Sequence, residues 1–213
     1  MNAIGIIDYG MGNLRSVQKA FEHIGAEAII LSSPELVADV DKLILPGVGA
    51  FADGMEHLGR LGWIDPIRTY VDSGKTFLGI CLGMQLLFDS SQEDAVSPDK
   101  PVAGLGVLPG QVMAFVQPEV GERIKIPHMG WNTLDITKES VLLAGLKPDS
   151  ACYFVHGYYV EPADTTGTIA TTQYPQGRPF CCAVERYNIL ATQFHPEKSQ
   201  HVSLQILTNF AAL

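Results

Sequence analysis

Apolar residues follow two rhythms along this chain of 213 residues. In its first part, short continuous apolar runs alternate with stretches whose apolar residues recur every three or four positions. Ala3-Ile4-Gly5-Ile6-Ile7, Ala28-Ile29-Ile30-Leu31, Lys42-Leu43-Ile44-Leu45 and Thr76-Phe77-Leu78-Gly79-Ile80 are the kind of run carried by strands buried on both faces. Between the first two, Leu14, Val17, Phe21 and Ile24 fall on one helical face, with Asn13 placed to cap it and Gly25 to end it. Ser32-Ser33-Pro34 suits a turn and a short helix start. Further helices are predicted around 50–59, around 62–73 with Gly74 closing it, and from Leu82 through Phe88. Strand and helix alternating in this way form a doubly wound parallel sheet.

Beyond residue 90 the rhythm changes. Residues 90–101 are polar and read as a loop. Strand-like segments follow at 104–108, 112–116, 123–127, 151–160, 168–173, 180–186 and 189–194. Pro109-Gly110, Glu119-Val120-Gly121, Pro175-Gln176-Gly177 and the hairpin pair Tyr187-Asn188 separate them as turns, which predicts mainly antiparallel pairing. A last helix is predicted from Ser199, its cap, through Val202, Ile206 and Phe210. The expected architecture is a three-layer α/β fold. It has a mostly parallel central sheet with flanking helices and a smaller antiparallel β region in the C-terminal half. No linker, repeat or low-complexity segment interrupts the chain, so one domain is expected over 1–213.

With 46% hydrophobic and 17% charged residues, the chain can bury a sizeable core. Its net charge of -9 argues against a nucleic-acid backbone as partner. No apolar run approaches the roughly 20 residues of a membrane span, and the N-terminus meets Asp8 without a basic region, unlike a signal peptide. Of the four cysteines, Cys81, Cys152, Cys181 and Cys182, none forms a CxxC pair, so no zinc site is indicated. Cys181 and Cys182 would face opposite sides of a strand, and a reducing cytosol is their simplest setting. DYGMGN lacks the third glycine of a dinucleotide loop, and no GK[ST] follows PGVG to make a phosphate loop.

Candidate chemistry gathers at the predicted carboxyl ends of the strands, where open α/β sheets bind ligands. DYGMGN, PGVGAF and Cys81 all lie there, although each loop also reads as an ordinary βα turn. Cys81 joins strand to helix between Gly79 and Gly83. A side chain on so sharp a turn stands clear of the sheet, and small neighbours relieve the crowding, as in a nucleophile elbow. A buried structural cysteine fits the same stretch. Among six histidines, His23, His57 and His201 belong to predicted helices away from the strand ends, and His128 and His156 lie in apolar segments as structural or site-lining residues. His195 differs: it ends an apolar run and precedes Pro196-Glu197. In an extended segment residues two apart share a side. Glu197 can then hold one imidazole nitrogen while the other faces a thiol, the logic of a triad. A strand end with a surface ion pair would carry the same residues.

Together, Gly79-Ile80-Cys81-Leu82-Gly83-Met84-Gln85 and His195-Pro196-Glu197 resemble the class I, or triad-type, glutamine amidotransferases in order and separation. The resemblance covers essentially the whole chain. Within that family, IGIIDYGMGNLRSV, LPGVGAF, PHMGWN and YFVHGYY are similar to the amidotransferases that serve imidazole glycerol phosphate synthesis. The resemblance implies Cys81 as nucleophile, His195 as base and Glu197 as its orienter. It implies oxyanion donors at the amide of Leu82 and in the PGVG loop at Val48 and Gly49, a peptide that turns in this family when the synthase is engaged. Gln85, Glu93 and a backbone amide near Gly49 would hold the amino-acid end of L-glutamine, although Ser91-Gln92-Glu93 departs from the commoner acidic pair. No metal or organic cofactor is implied. A (βα)8-barrel cyclase is implied as heterodimer partner, taking ammonia through its interior in cytoplasmic histidine biosynthesis. The chain length leaves no room for such a synthase in addition to the amidotransferase. Asn13, Trp131, Tyr153 and Lys198 match positions near that interface; a helix cap, core aromatics and a solvated lysine are their plain alternatives. A subunit serving another acceptor, as in pyridoxal phosphate synthesis, or a non-catalytic regulatory module on the same fold, would share much of this pattern.

Overall fold

Continuous apolar runs must be covered on both faces, and the computed structural model covers them from two sides. It describes residues 3–97, 99–117, 123, 125–174, 177–198 and 200–213. The first part contains β1 (Ile4–Ile7), α1 (Leu14–His23), β2 (Ala28–Leu31), β3 (Lys42–Gly47), α2 (Phe51–Arg60), α3 (Ile64–Asp72), β4 (Thr76–Cys81) and the short α4 (Leu82–Leu86). The second contains β5 (Phe88–Ser91), β6 (Val102–Ala103), β7 (Leu108–Ala114), β8 (His128–Thr133), β9 (Asp135–Ile136), β10 (Ala151–His156), β11 (Tyr158–Pro162), β12 (Thr168–Gln173), β13 (Pro179–Arg186), β14 (Ile189–Thr192) and α5 (Gln200–Ala212). The main sheet runs β2-β1-β3-β4-β14-β13-β11-β7-β5-β6, with β12 also on β13 and β9 on β12, while β8 and β10 pair apart. From β2 to β14 every pairing is parallel.

Alternate residues of the central strands enter opposite cores. Leu43, Leu45 and Phe77 pack with Phe51 and Leu58 of α2 and with Ile67 and Tyr70 of α3. Ile44, Leu78 and Ile80 pack with Val17 and Phe21 of α1 and with Ile206, Leu207 and Phe210 of α5. The rings of Phe21 and Phe210 meet edge to face at 6.0 Å. Burying one side chain of that size contributes roughly 1.5–3 kcal/mol, so the apolar stripes fix these helices to the sheet and make the three layers. Cys181 enters the first core and Cys182 the second, as neighbours in a strand must.

Several expectations need correction. Asn13 precedes α1 but makes no side-chain capping bond. Phe88 does not continue a helix. α4 stops at Leu86 because the carbonyls of Leu86 and Leu87 accept from the amides of Leu105 and Leu108, and Phe88 opens β5. The polar stretch from residue 90 therefore begins as strand, with Ser90 and Ser91 paired parallel to β7. Pro109-Gly110 is no turn. β7 runs through it with a register shift against β5, while Gly110 has φ +133 and its amide donates to Asp89. Such a bulge absorbs the residues without reversing the chain.

Residues Arg123, Lys125, Ile126 and Pro127 form no strand. The strand begins at His128 instead and was hidden because its outward residues, Met129 and Trp131, are themselves apolar. The run 151–160 breaks at Gly157 into β10 and β11, which belong to different sheets. β14 ends at Thr192, is antiparallel to β13 through the Tyr187-Asn188 hairpin, and then joins the parallel centre beside β4. The Ser199 cap, Ile124, the Glu119-Val120-Gly121 turn and Pro175-Gln176 lie outside the described residues. No helix among the described residues is long and apolar enough to cross a membrane.

Candidate active site

The site is built where β4 turns into α4. Cys81, on that turn, has φ 56 and ψ -111, a conformation that costs a residue with a side chain on the order of 1–3 kcal/mol. Two glycines allow it. A Cβ on Gly83 would lie 1.8 Å from the carbonyl oxygen of Leu45, and one on Gly79 would lie 2.9 Å from that of Gly83. Without side chains there, α4 folds straight back onto β3, whose Gly47 pairs in register with Cys81.

The other flank of β4 carries the strand that leads to His195. β14 pairs parallel with β4, Thr192 opposite Ile80, so the residues after Thr192 pass beside Cys81. The His195 amide donates to Tyr153 at 3.0 Å. The segment after His195 is not extended, as the sequence suggested, but makes a 3-10 turn at Pro196–Lys198, closed by a bond from the Lys198 amide to the His195 carbonyl. The fixed φ of proline fits this turn as well as a strand, and the turn carries Glu197 back onto His195. Nδ1 of His195 and Oε1 of Glu197 are 2.7 Å apart, with both side chains almost fully buried. Burial works against a charged imidazole. The hydrogen bonds and charges of Cys81 and Glu197 outweigh it and lift the His195 pKa to about 10. The surroundings thus favour the charged imidazole, which is able to give a proton.

Cys81, His195, Leu82, Gln85, Glu93, Val48 and Gly49 line one cavity of about 290 Å³, with Tyr158 and His156. The residues proposed from sequence for catalysis and substrate thus meet in one place, except Glu197, which stands behind His195 and joins the site through Nδ1. Val48, 41% exposed, belongs to its rim. Glu93 accepts from the Phe51 amide at 2.9 Å. Burial raises the Glu93 pKa, that hydrogen bond opposes the rise, and Asp94 and Asp53 add to it. A carboxylate so poorly solvated and so close to other acids favours a cation at its end of the cavity. Gln85 is buried, and its amide nitrogen donates to Tyr158 O at 3.0 Å and to Gln193 Oε1 at 2.9 Å. Both of its donor hydrogens are engaged within the protein.

His156 does not compete as a base. Its Nδ1 donates to Tyr158 O at 2.7 Å. Burial lowers its pKa to about 3 against that bond, with help from His128 and His195. His128 is also shifted downward by burial and stacks on Phe154. A larger hollow, about 500 Å³ near Asp135, Asp149 and Thr171, is lined by no histidine or cysteine.

Three residues were missed from sequence. Gln193, wholly buried, points Nε2 at the Cys81 sulfur at 3.8 Å. Tyr9 is also wholly buried, and its hydroxyl would stand 2.5 Å from a Cβ on Gly47. His57, assigned to a helix away from the site, donates from Nδ1 to Tyr9 O at 3.0 Å and so ties α2 to the DYGMGN loop. A polar side chain inside the apolar run 189–194 was the one available signal, and it marked Gln193. Of the interface candidates, Trp131 and Tyr153 face each other across β8 and β10 with rings 5.9 Å apart. Trp131 is 48% exposed, and so is no core aromatic, and Met129 beside it is 62% exposed. Asn13 and Lys198 are exposed too.

Known proteins carry the same plan. The family model described as glutamine amidotransferase class-I matches residues 5–212. The chain is 53% identical over 97% of its length to the imidazole glycerol phosphate synthase subunit HisH of Syntrophotalea carbinolica, covering 98% of that protein. It is 49% identical over 99% of its length to the subunit of the same name from Geobacter metallireducens, again covering 98%. The structure of PurLQS from Thermotoga maritima superposes with a TM-score of 0.73 at 16% identity, over 98% of this chain and 96% of the other, and shares the fold. By the family match and by these relatives, the chain belongs to the class-I glutamine amidotransferases, in the branch that holds the HisH subunits.

Proposed function

We propose that this chain is the glutaminase subunit of an imidazole glycerol phosphate synthase. It would hydrolyse L-glutamine to glutamate and ammonia and deliver the ammonia to a cyclase partner in cytoplasmic histidine biosynthesis. The observation that carries this reading is the meeting of Cys81, His195 with its Glu197, and Glu93 around one cavity. In this mechanism the substrate's ammonium sits at Glu93 and its carboxamide at Cys81. The Cys81 thiolate attacks the carboxamide carbon, forming a C–S bond and pushing an electron pair onto the carbonyl oxygen. The amide of Leu82 and an amide of the Val48-Gly49 segment receive that oxyanion; one such donor contributes roughly 3 kcal/mol to the transition state. As the tetrahedral carbon collapses, its C–N bond breaks and the His195 cation gives its proton to the nitrogen, which leaves as ammonia. The now neutral imidazole takes a proton from water, whose oxygen attacks the thioester. Glutamate leaves and the Cys81 thiolate returns.

Ammonia released into water is lost, so the reading requires an acceptor enzyme. The exposed Met129 and Trp131, with Trp131 against Tyr153, offer an apolar surface, and Lys198 and Asn13 are exposed as well. We assign that face to the partner, a (βα)8 barrel that passes ammonia through its interior. The test mixes the chain with the cyclase subunit and its ribonucleotide substrate and follows glutamate and imidazole glycerol phosphate. Coupled formation of both, abolished by Cys81→Ala in a folded protein, is the expected result. Turnover retained by Cys81→Ala would sink the assignment.

A further inference from the structure

We infer that Gln193 is a positioning residue for the nucleophile: it holds the Cys81 sulfur with an N–H donor and ties it to Gln85. The inference rests on the reading of Cys81 as nucleophile. Its starting point is register. β14 and β4 run parallel with Thr192 opposite Ile80, so Gln193 stands next to Cys81. Its backbone amide donates to Cys182 O at 2.9 Å, which fixes the main chain there, and its side chain is wholly buried.

The orientation of the two amides follows from their partners. Tyr158 O can only accept, so the Gln85 atom 3.0 Å from it is the nitrogen. The second hydrogen of that nitrogen goes to Gln193 at 2.9 Å, so the Gln193 atom receiving it is the oxygen. The Gln193 nitrogen is therefore the atom 3.8 Å from Sγ. This chain of bonds leaves no freedom for either amide to flip.

Chemically, Cys81 lies between opposed demands. The carbonyl of Val155, 3.9 Å from Sγ, accepts a thiol proton and repels a thiolate. The Gln193 N–H, 3.8 Å away, donates to the same sulfur. A hydrogen bond to a charged acceptor is worth more than one to a neutral acceptor, so the Gln193 bond strengthens as the proton leaves Sγ. It also holds the sulfur on the cavity side of a strained backbone. The same side chain accepts from Gln85, so Gln85 and Cys81 are joined through one amide.

The experiment measures alkylation of Cys81 by iodoacetamide at neutral pH in the folded chain, located by peptide mass spectrometry. Gln193→Met keeps length and removes the donor; Gln193→Asn keeps an amide but draws it back by one methylene. Thermal melting of both is recorded. Alkylation about ten-fold slower than in the parent is expected in both, the size of a lost bond to a charged group. Mere loosening of the site exposes Cys81 and speeds alkylation, so a faster rate overturns the inference. So does a rate equal to the parent's. A parent whose Cys81 reacts no faster than the same thiol in denaturant overturns the nucleophile reading itself and the role of Gln193 with it.

Discussion

Gly83→Ala tests the geometry of the elbow most severely. The added methyl would stand 1.8 Å from Leu45 O and 2.8 Å from its carbonyl carbon. A carbon–oxygen contact settles at about 3.3 Å, so β3 and α4 must part by roughly 1.5 Å. Neither side can give easily. Leu45 is held in the parallel ladder against Gly79, and Gly83, Met84 and Leu86 are packed under the first core. Overpacking of a well-filled core costs about 1–3 kcal/mol, and a clash with backbone belongs at the upper end. For a chain of this size, about 3 kcal/mol lowers Tm by roughly 6–12 °C. The same displacement turns the Leu82 amide, the proposed oxyanion donor, away from the cavity. Losing one such donor lowers kcat on the order of 100-fold or more.

Gly59→Ala is the control. Its nearest contact would be Ile64 Cδ1 at 3.6 Å, within the helix α2, so it should gain about 0.5–1 kcal/mol. Circular dichroism melts and glutaminase assays of both variants decide the matter. If Gly83→Ala melts within about 2 °C of the parent, a shift under 1 kcal/mol for this size, and keeps its activity, the elbow is not packed as argued.

Two further outcomes are expected. Glu197→Gln should lower kcat roughly 10- to 100-fold, the worth of a bond to a charged group, with the fold retained. Its loss of stability has a defined pH window. Against burial, Cys81 and Glu197 together lift the folded His195 pKa to about 10, above the ordinary 6.5, so the share that Glu197 contributes is complete below pH 6.5 and disappears as pH rises through about 10. Melts from pH 6 to 10.5 should therefore show the gap between parent and variant closing; a gap that widens contradicts the pairing. Trp131→Ala should weaken binding of the cyclase by at least about 2 kcal/mol, as an exposed aromatic anchor does, and leave Tm unchanged. Unchanged affinity by calorimetry would remove Trp131 from the interface.

Cys81 and His195, the proposed nucleophile and base, could be singled out in the sequence because each stands in a short local pattern. Gly79, Cys81 and Gly83 declare a sharp turn, and His195 and Glu197 stand two positions apart with Pro196 between them. Even there the backbone between His195 and Glu197 was misread, because a strand and a 3-10 turn can bring the same pair together. Gln193 stayed hidden as a site residue because its meaning lies in the register of β14 beside β4, a long-range fact. His57 and Tyr9 meet across forty-eight residues and leave no local trace. The second half was read least well. There, apolar residues on the outward face of β8 mask its alternation, and a bulge absorbs Pro109-Gly110 inside β7.

The central claim is that Cys81 forms a covalent bond with glutamine, and it can be measured directly. The complex is mixed with isotopically labelled glutamine during turnover, quenched in acid and digested, and the peptide bearing Cys81 is weighed. A glutamyl thioester on Cys81, missing from Cys81→Ala, is the result this account requires. Glutamine consumed at the full rate with Cys81 never labelled would contradict it.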